Sequence, residues 1–213
     1  MSKKIVFMGD SITCAARNKE DPTNLGVGYA AMIAEVLEKE QPGAYELINR
    51  GVNGQHIADM YARIRRDIIN HKPDYVSILA GMNGVLAEFE RNDGITLEKF
   101  EKIYTMLVEE LIEALPDAKI MILEPLVLPG SLSNNTEKFP IRWDVLHSEL
   151  PRRAQVAKRI ADKFNLKFVP LRETFEKENA GKPEGYLLRD GVHPSLEGYE
   201  LMKNAWLKAF REL

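Results

Sequence analysis

Short apolar runs alternate with longer amphipathic stretches from one end of the chain to the other. Ile5 to Met8, Tyr45 to Asn49, Tyr75 to Leu79, Lys119 to Leu123 and Lys167 to Val169 are mostly continuous apolar runs, as expected of strands covered on both faces. Between and after them, about Tyr29 to Lys39, Ile57 to Asn70, Leu97 to Ala114, Trp143 to Phe164 and Leu196 to Phe210 place apolar residues three and four apart, the period of a helix with one buried face. In the third of these, Thr96 stands as an N-cap and Phe100, Ile103, Leu107, Leu111 and Leu115 trace one face; the fourth could break at Pro151. Such alternation is the signature of a parallel sheet wrapped by crossover helices. The predicted class is α/β, a flavodoxin-like three-layer α/β/α sandwich around a five-stranded parallel sheet.

The chain has 213 residues and no linker-like stretch, which predicts one domain over residues 1–213. With 45% hydrophobic and 29% charged residues, a core can be buried without disulfides or metal staples. A net charge of −3, with basic residues spread along the chain, leaves no electrostatic footprint for nucleic acid. The single cysteine, Cys14, cannot form an internal disulfide, and only four apolar residues follow Lys4 before Gly9, too few for a signal-peptide core. A cytoplasmic location is the simplest expectation. No apolar run approaches the roughly 20 residues that span a bilayer, so integral membrane association is not expected.

Ligands of open parallel sheets bind beyond the carboxyl ends of the strands. Four polar segments fall there: Gly9-Asp10-Ser11-Ile12-Thr13, Gly51-Val52-Asn53-Gly54, Gly81-Met82-Asn83-Gly84, and Asp190-Gly191-Val192-His193-Pro194 before the last helix. Singly, each reads as backbone chemistry. Gly-Asp-Ser makes a capped turn, the glycines permit positive φ, Asn83 suits a left-handed turn, and Pro194 sets up a helix start. Together they supply a hydroxyl nucleophile, an imidazole base, a carboxylate to orient it and donors for an oxyanion, which is what acyl transfer requires.

These segments, with Phe7-Met8-Gly9-Asp10-Ser11, Asn49-Arg50-Gly51-Val52-Asn53-Gly54, Gly81-Met82-Asn83 and Asp190-Gly191-Val192-His193-Pro194-Ser195 in that order, resemble the SGNH, or GDSL-like, hydrolases, and most nearly their carbohydrate acetylesterase members. The resemblance implies a serine esterase acting on short-chain acyl groups, such as acetyl on a carbohydrate or similar alcohol. Ser11 would be the nucleophile, His193 the base and Asp190 its partner. The Ser11 and Gly54 N–H groups and the Asn83 amide would hold the oxyanion, with Gly54 bare so that its backbone can approach the substrate. The family's third block usually reads Gly-x-Asn-Asp, whereas Gly84 stands here, which implies a working site with an altered rim.

Asp10 is assigned to fixing its turn, and Cys14 to packing. His56, His71 and His147 show no metal-ligand spacing, so neither metal nor cofactor is expected. Met82, Val85, Leu126, Leu128 and Val192 are the candidate pocket lining. The long irregular stretch Glu124 to Arg142 is a candidate lid or pocket wall. Phe139 and Trp143, in or just after it, would stack on a sugar, close a lid, pack internally or make an oligomer contact. Three other readings stay open: a lysophospholipase or thioesterase, a catalytically silent acyl-glycan binder, and a flavodoxin-like nucleotide module. The last fits least, because Asp10 would repel a phosphate.

Overall fold

The computed structural model describes residues 2–213. Five strands, Lys3–Met8 (β1), Tyr45–Asn49 (β2), Tyr75–Leu79 (β3), Lys119–Leu123 (β4) and Lys167–Val169 (β5), form one all-parallel sheet in the order β2-β1-β3-β4-β5. This is the flavodoxin-like arrangement expected from the sequence. Its order reverses between β1 and β3, the place where a crevice opens at the carboxyl edge of such a sheet.

Alternation along β1 shows how the two faces are filled. Ile5 and Phe7 join a core with Ala30, Ile33 and Leu37 of helix α2 (Tyr29–Glu40), Phe175 of α8 (Arg172–Asn179) and Trp206 of α9 (Leu196–Phe210). Val6 and Met8 point the other way, into a core with Met60 of α3 (Ile57–Ala62), Leu107 of α6 (Leu97–Ala114) and Ile160 of α7 (Arg142–Lys163). A third, smaller cluster joins Met82 and Val85 of α5 (Met82–Glu90) to Leu146 and Leu150 of α7 and to Val192. It ties the loop bearing His193 to the helix bearing Asn83.

Several elements depart from the sequence expectation. The helix expected over Ile57 to Asn70 is split into α3, a short α4 (Ile64–Asp67) and a 3₁₀ turn at Ile69–His71. The first break falls at Arg63, whose side chain is turned into the interior at 6% exposure. Conversely, α7 runs unbroken through Pro151. An interior proline costs about 3 kcal/mol, but Leu146, Leu150, Ala154, Ala157 and Ala161 form one buried stripe across it, and packing of that stripe holds both halves in line. Three helices were not evident in the sequence. Ser11–Cys14 (α1) and α5 start inside turns rich in glycine, and α8 carries only Phe175 as an apolar residue. Among the described residues no helix is long and apolar enough to cross a membrane.

Trp206 is fully buried, stacks on Phe210 at 4.8 Å and donates its indole N–H to Ser77 Oγ at 3.0 Å. Trp206→Ala is expected to cost about 3–5 kcal/mol. Urea unfolding of the two proteins measures this, and a loss below about 1 kcal/mol would show that the α9 face does not anchor the sheet in this way.

Candidate active site

Beyond β1 the chain turns through Gly9 and Asp10 into the single-turn helix α1. Asp10 caps it, accepting the Ile12 N–H at 2.9 Å, and is 2% exposed. Ser11 is the first helical residue, so its N–H has no acceptor within the helix. The turn is closed by Ala15 and Ala16 in the left-handed region, at φ 43° and 58°. That conformation costs about 1–2 kcal/mol for a non-glycine residue. It is held by Ala15 N–H to Ser11 O and by Val27 N–H to Ala15 O, at 2.9 and 2.8 Å.

Ser11 Oγ lies 2.9 Å from His193 Nε2, and His193 Nδ1 lies 2.8 Å from Asp190 Oδ2. The other Asp190 oxygen, Oδ1, accepts the backbone N–H groups of Val192 and His193 at 3.0 and 2.7 Å. Burial pushes the Asp190 carboxyl up, but the His193 backbone N–H, the His193 ring and the Val192 N–H outweigh it and hold the group below its ordinary value. Asp190 is therefore a carboxylate near neutral pH. It can orient one imidazole nitrogen while the other faces the serine hydroxyl.

The stretch read as a candidate lid is in large part the bracket of the loop that carries Asp190 and His193. Leu128 N–H donates to Gly191 O at 3.0 Å and Leu132 N–H to Asp190 O at 2.8 Å. Ser133, fully buried, donates to Leu128 O at 2.6 Å. Gly130 lies so close that a Cβ on it would stand 2.2 Å from Gly191 N and 2.3 Å from Asp190 C.

Opposite the serine, the β2 loop is stitched to the Ser11 turn by Asn49. Its amide donates to Thr13 O and Leu25 O at 2.7 and 2.8 Å, and its oxygen accepts Gly51 N–H at 2.8 Å. Gly54 has φ +76°, with no atom within 4 Å of where a Cβ would stand. Backbone conformation, more than crowding, therefore calls for glycine there. Asn83, in the first turn of α5, donates from Nδ2 to Asp10 Oδ2 and to Gln55 O, both at 3.2 Å. Asp10 thus ties Asn83 to the Ser11 turn in addition to capping α1. Its carboxyl is pushed up to about 6 by burial, against the Ile12 N–H, the nearby His193 and the Asn83 amide.

Arg63 joins both sides from beneath. Its guanidinium donates to Gln55 Oε1 at 2.5 Å, Arg50 O at 2.8 Å, Gly9 O at 3.3 Å and Asp67 Oδ2 at 2.6 Å. One buried cation, neutralised by Asp67, fixes the carbonyl before Asp10 and the residue after Gly54. Neither Arg63 nor Gln55 was singled out from sequence. The available signal was an i, i+4 Arg–Asp pair lying along the apolar stripe of Met60, Ile64 and Ile68.

A cavity of about 340 Å³ opens over Ser11 and His193, lined also by Asn53, Gly54, Met82, Asn83, Leu86, Leu132, Arg142 and Val192. Ser11, Gly54, Asn83 and His193 are thus brought to one cleft, with Asp190 behind the imidazole. Of the candidate lining residues, Met82 and Val192 face it. Val85 is fully buried in the small cluster between α5 and α7, whereas Leu126 and Leu128 belong to the core on the α2–α9 face. Neither Leu126 nor Leu128 lines the cleft; Leu128 instead serves the loop behind it, through its N–H to Gly191 O. Leu86, Leu132 and Arg142 take part instead. Trp143 stacks on His147, with ring centroids 5.2 Å apart, and Phe139 packs under Arg142. Cys14 is buried at 2% exposure.

The sequence profile of the GDSL-like lipase/acylhydrolase family matches residues 7–201. An acetylxylan esterase of Geobacillus stearothermophilus is 29% identical over 216 residues, covering 97% of this chain and 93% of the relative. The crystal structure of Axe2, an acetylxylan esterase from that organism, superposes with a TM-score of 0.82 at 28% identity, over 97% of this chain and 93% of the other. Structures of Axe2 include catalytic mutants that replace a histidine, a serine and an aspartate by alanine. A Parabacteroides merdae protein, provisionally named a GDSL-like lipase, superposes with a TM-score of 0.88 at 28% identity, over 98% and 96% of the two chains.

Two outcomes follow from this geometry. Gly130→Ala must push the Asp190–Gly191 backbone aside, and a displacement of about 1 Å costs on the order of 10²-fold in rate. Esterase assays of a variant that keeps its circular dichroism spectrum measure the loss, and an unchanged kcat/KM would contradict the bracket. The second concerns pH. The Asp10 carboxyl titrates at about 6 in the fold, above its ordinary 3.8. Its contribution to stability is therefore complete below about pH 3.8 and is lost as pH rises through 6. Wild type should lose thermal stability relative to Asp10→Asn between pH 4 and pH 7. A constant difference in Tm across that range would refute the burial argument.

Proposed function

We propose, since the chain belongs to the GDSL-like lipase/acylhydrolase family and is a carboxylic ester hydrolase, that it removes acetyl groups from a carbohydrate through a Ser11–His193–Asp190 triad and an acyl-enzyme. The observation that carries this reading is the continuous hydrogen-bonded line from Ser11 Oγ through the imidazole to Asp190, at 2.9 and 2.8 Å. Its reach into the open cleft allows an ester carbonyl to meet the hydroxyl. The carbohydrate and the acetyl group are suggested by the acetylxylan esterase relatives. Their catalytic mutants at a serine, a histidine and an aspartate three places before it support the triad.

Ser11 Oγ attacks the ester carbonyl while His193 Nε2 takes its proton, and Asp190 stabilises the resulting imidazolium. The oxyanion forms between the N–H groups of Ser11 and Gly54 and the Asn83 amide, which turns from its long contact with Gln55 O to donate to it. His193 then protonates the leaving alcohol, and the same cycle with water releases acetate from Ser11. The Ser11 and Gly54 N–H donors are fixed beforehand by the backbone and need no reorganisation as charge develops, whereas Asn83 must exchange one contact; a donor of this kind is worth about 10² to 10³ in rate.

The reading treats residues 1–213 as one domain, because the cleft needs groups from both ends of the sequence. The lone buried cysteine supports a reducing compartment such as the cytoplasm.

Purified protein is expected to hydrolyse p-nitrophenyl acetate and to release acetate from acetylated xylo-oligosaccharides, with laurate esters turned over more slowly than acetate. Ser11→Ala should lose at least about 10³-fold in kcat. Turnover by Ser11→Ala equal to wild type would end the serine-esterase reading, and a preference for laurate would end the acetyl one.

A further inference from the structure

A second cavity, of about 300 Å³, lies beside the catalytic one. It is lined by Val85, Leu86 and Phe89 of α5, by Phe139 and Ile141 of the loop before α7 and by Leu146 of α7. Leu86 and Arg142 line both cavities, so the two share a wall. Arg142 brings no free charge to it. Its guanidinium is paired with Glu90 through two bonds of 2.5 and 2.9 Å, donates to Leu132 O at 3.2 Å, and lies over the Phe139 ring at 4.4 Å. Its charge is matched by Glu90, and the remaining charged side chain at the cavity, Lys138, lies over the Phe139 ring at 5.2 Å, so the wall offered to a ligand is mostly apolar.

Exposure points the same way. Among the described residues seven large apolar side chains stand out to solvent, and three of them, Phe89 at 50%, Leu132 at 44% and Ile141 at 61%, rim these two cavities. A cluster of solvent-facing apolar groups around a concave surface marks a place where an apolar ligand is taken from water.

We propose that the Phe89–Phe139–Ile141 cavity is a second substrate subsite, which takes an aryl or alkyl group carried on the alcohol side of the ester. The inference rests on the acetylesterase reading in one respect: an acetyl group bonded to Ser11 is too short to pass Leu86, so the part of the ester lodged there belongs to the alcohol. The protein then selects acetates of amphiphilic alcohols, with the polar part of the alcohol beside Asn53 and its apolar part beyond Leu86.

The test compares kcat/KM for ethyl, hexyl and 2-phenylethyl acetate in wild type, in Phe89→Ser/Ile141→Ser, and in Met106→Ser. Met106→Ser removes an exposed apolar side chain from α6, away from both cavities. Wild type and Met106→Ser should prefer hexyl and 2-phenylethyl over ethyl acetate by about tenfold or more. In the double variant this preference should shrink to less than threefold. Both substituted positions are half exposed or more, so the fold tolerates the change, and thermal unfolding verifies it. A wild-type preference below twofold would overturn the subsite, as would a preference that survives in the double variant. A preference for p-nitrophenyl octanoate over p-nitrophenyl acetate that the double variant abolishes would give the cavity to the acyl chain and overturn the alcohol assignment. If acetylated xylo-oligosaccharides are left intact while the hexyl preference behaves as expected, the carbohydrate reading fails and the subsite stands.

Discussion

The hydrogen bond between Ser11 Oγ and His193 Nε2 joins residues 182 positions apart, and the rest of the architecture can be understood as what makes that contact permanent. A serine hydroxyl is a weak nucleophile unless a base sits within about 3 Å of it. Closing so long a loop for one contact is unfavourable unless many other interactions share the cost. The sheet order answers this. Placing β1 beside β3 at the reversal point puts the Ser11 turn and the first turn of α5 on one edge, and α9 packs back across β1 through Trp206 and Phe7. The loop that feeds α9 is then delivered over Ser11.

Within that frame the two sides of the cleft are built differently. On one side, Asp190 and His193 share one tight loop, so their mutual geometry is set locally. The loop's position is set by the bracket from Leu128 to Ser133. On the side of Gly54 and Asn83 three separate loops must agree, and they do so through polar links: Asn49 to the Ser11 turn, Asn83 to Asp10 and Gln55, and Arg63 to Gly9, Arg50 and Gln55. Buried polar networks rigidify a site when every member is satisfied. The pairing of Arg63 with Asp67 is what keeps a cation tolerable at that depth.

The strands were legible because a parallel sheet covered on both faces writes itself as continuous apolar runs, and four of the five have the bounds read from sequence, β1 beginning two residues earlier. Ser11, Gly54, Asn83, Asp190 and His193 were legible as a set for another reason. Each segment alone is ordinary turn chemistry, but four of them at strand ends in one order have few structural explanations. What the sequence hid was tertiary. Leu126 and Leu128 look like pocket residues because they follow β4, yet the chain folds them into the core. Arg63 looks like a surface helix residue until the break after Ala62 turns it inward. Gly130 reads as one more loop glycine, and only the approach of the Asp190–Gly191 backbone reveals why a side chain is excluded. Pro151 reads as a breaker, and only the buried stripe on both sides explains why the helix continues.

The central claim is that Ser11 is made nucleophilic by His193 and is the atom that carries the acyl group. Covalent labelling with a fluorophosphonate, followed by peptide mass spectrometry, tests it most directly. The account predicts one adduct, on Ser11, forming rapidly in wild type and far more slowly in His193→Ala. Labelling of another residue, or of Ser11 at the same rate without the imidazole, would contradict it.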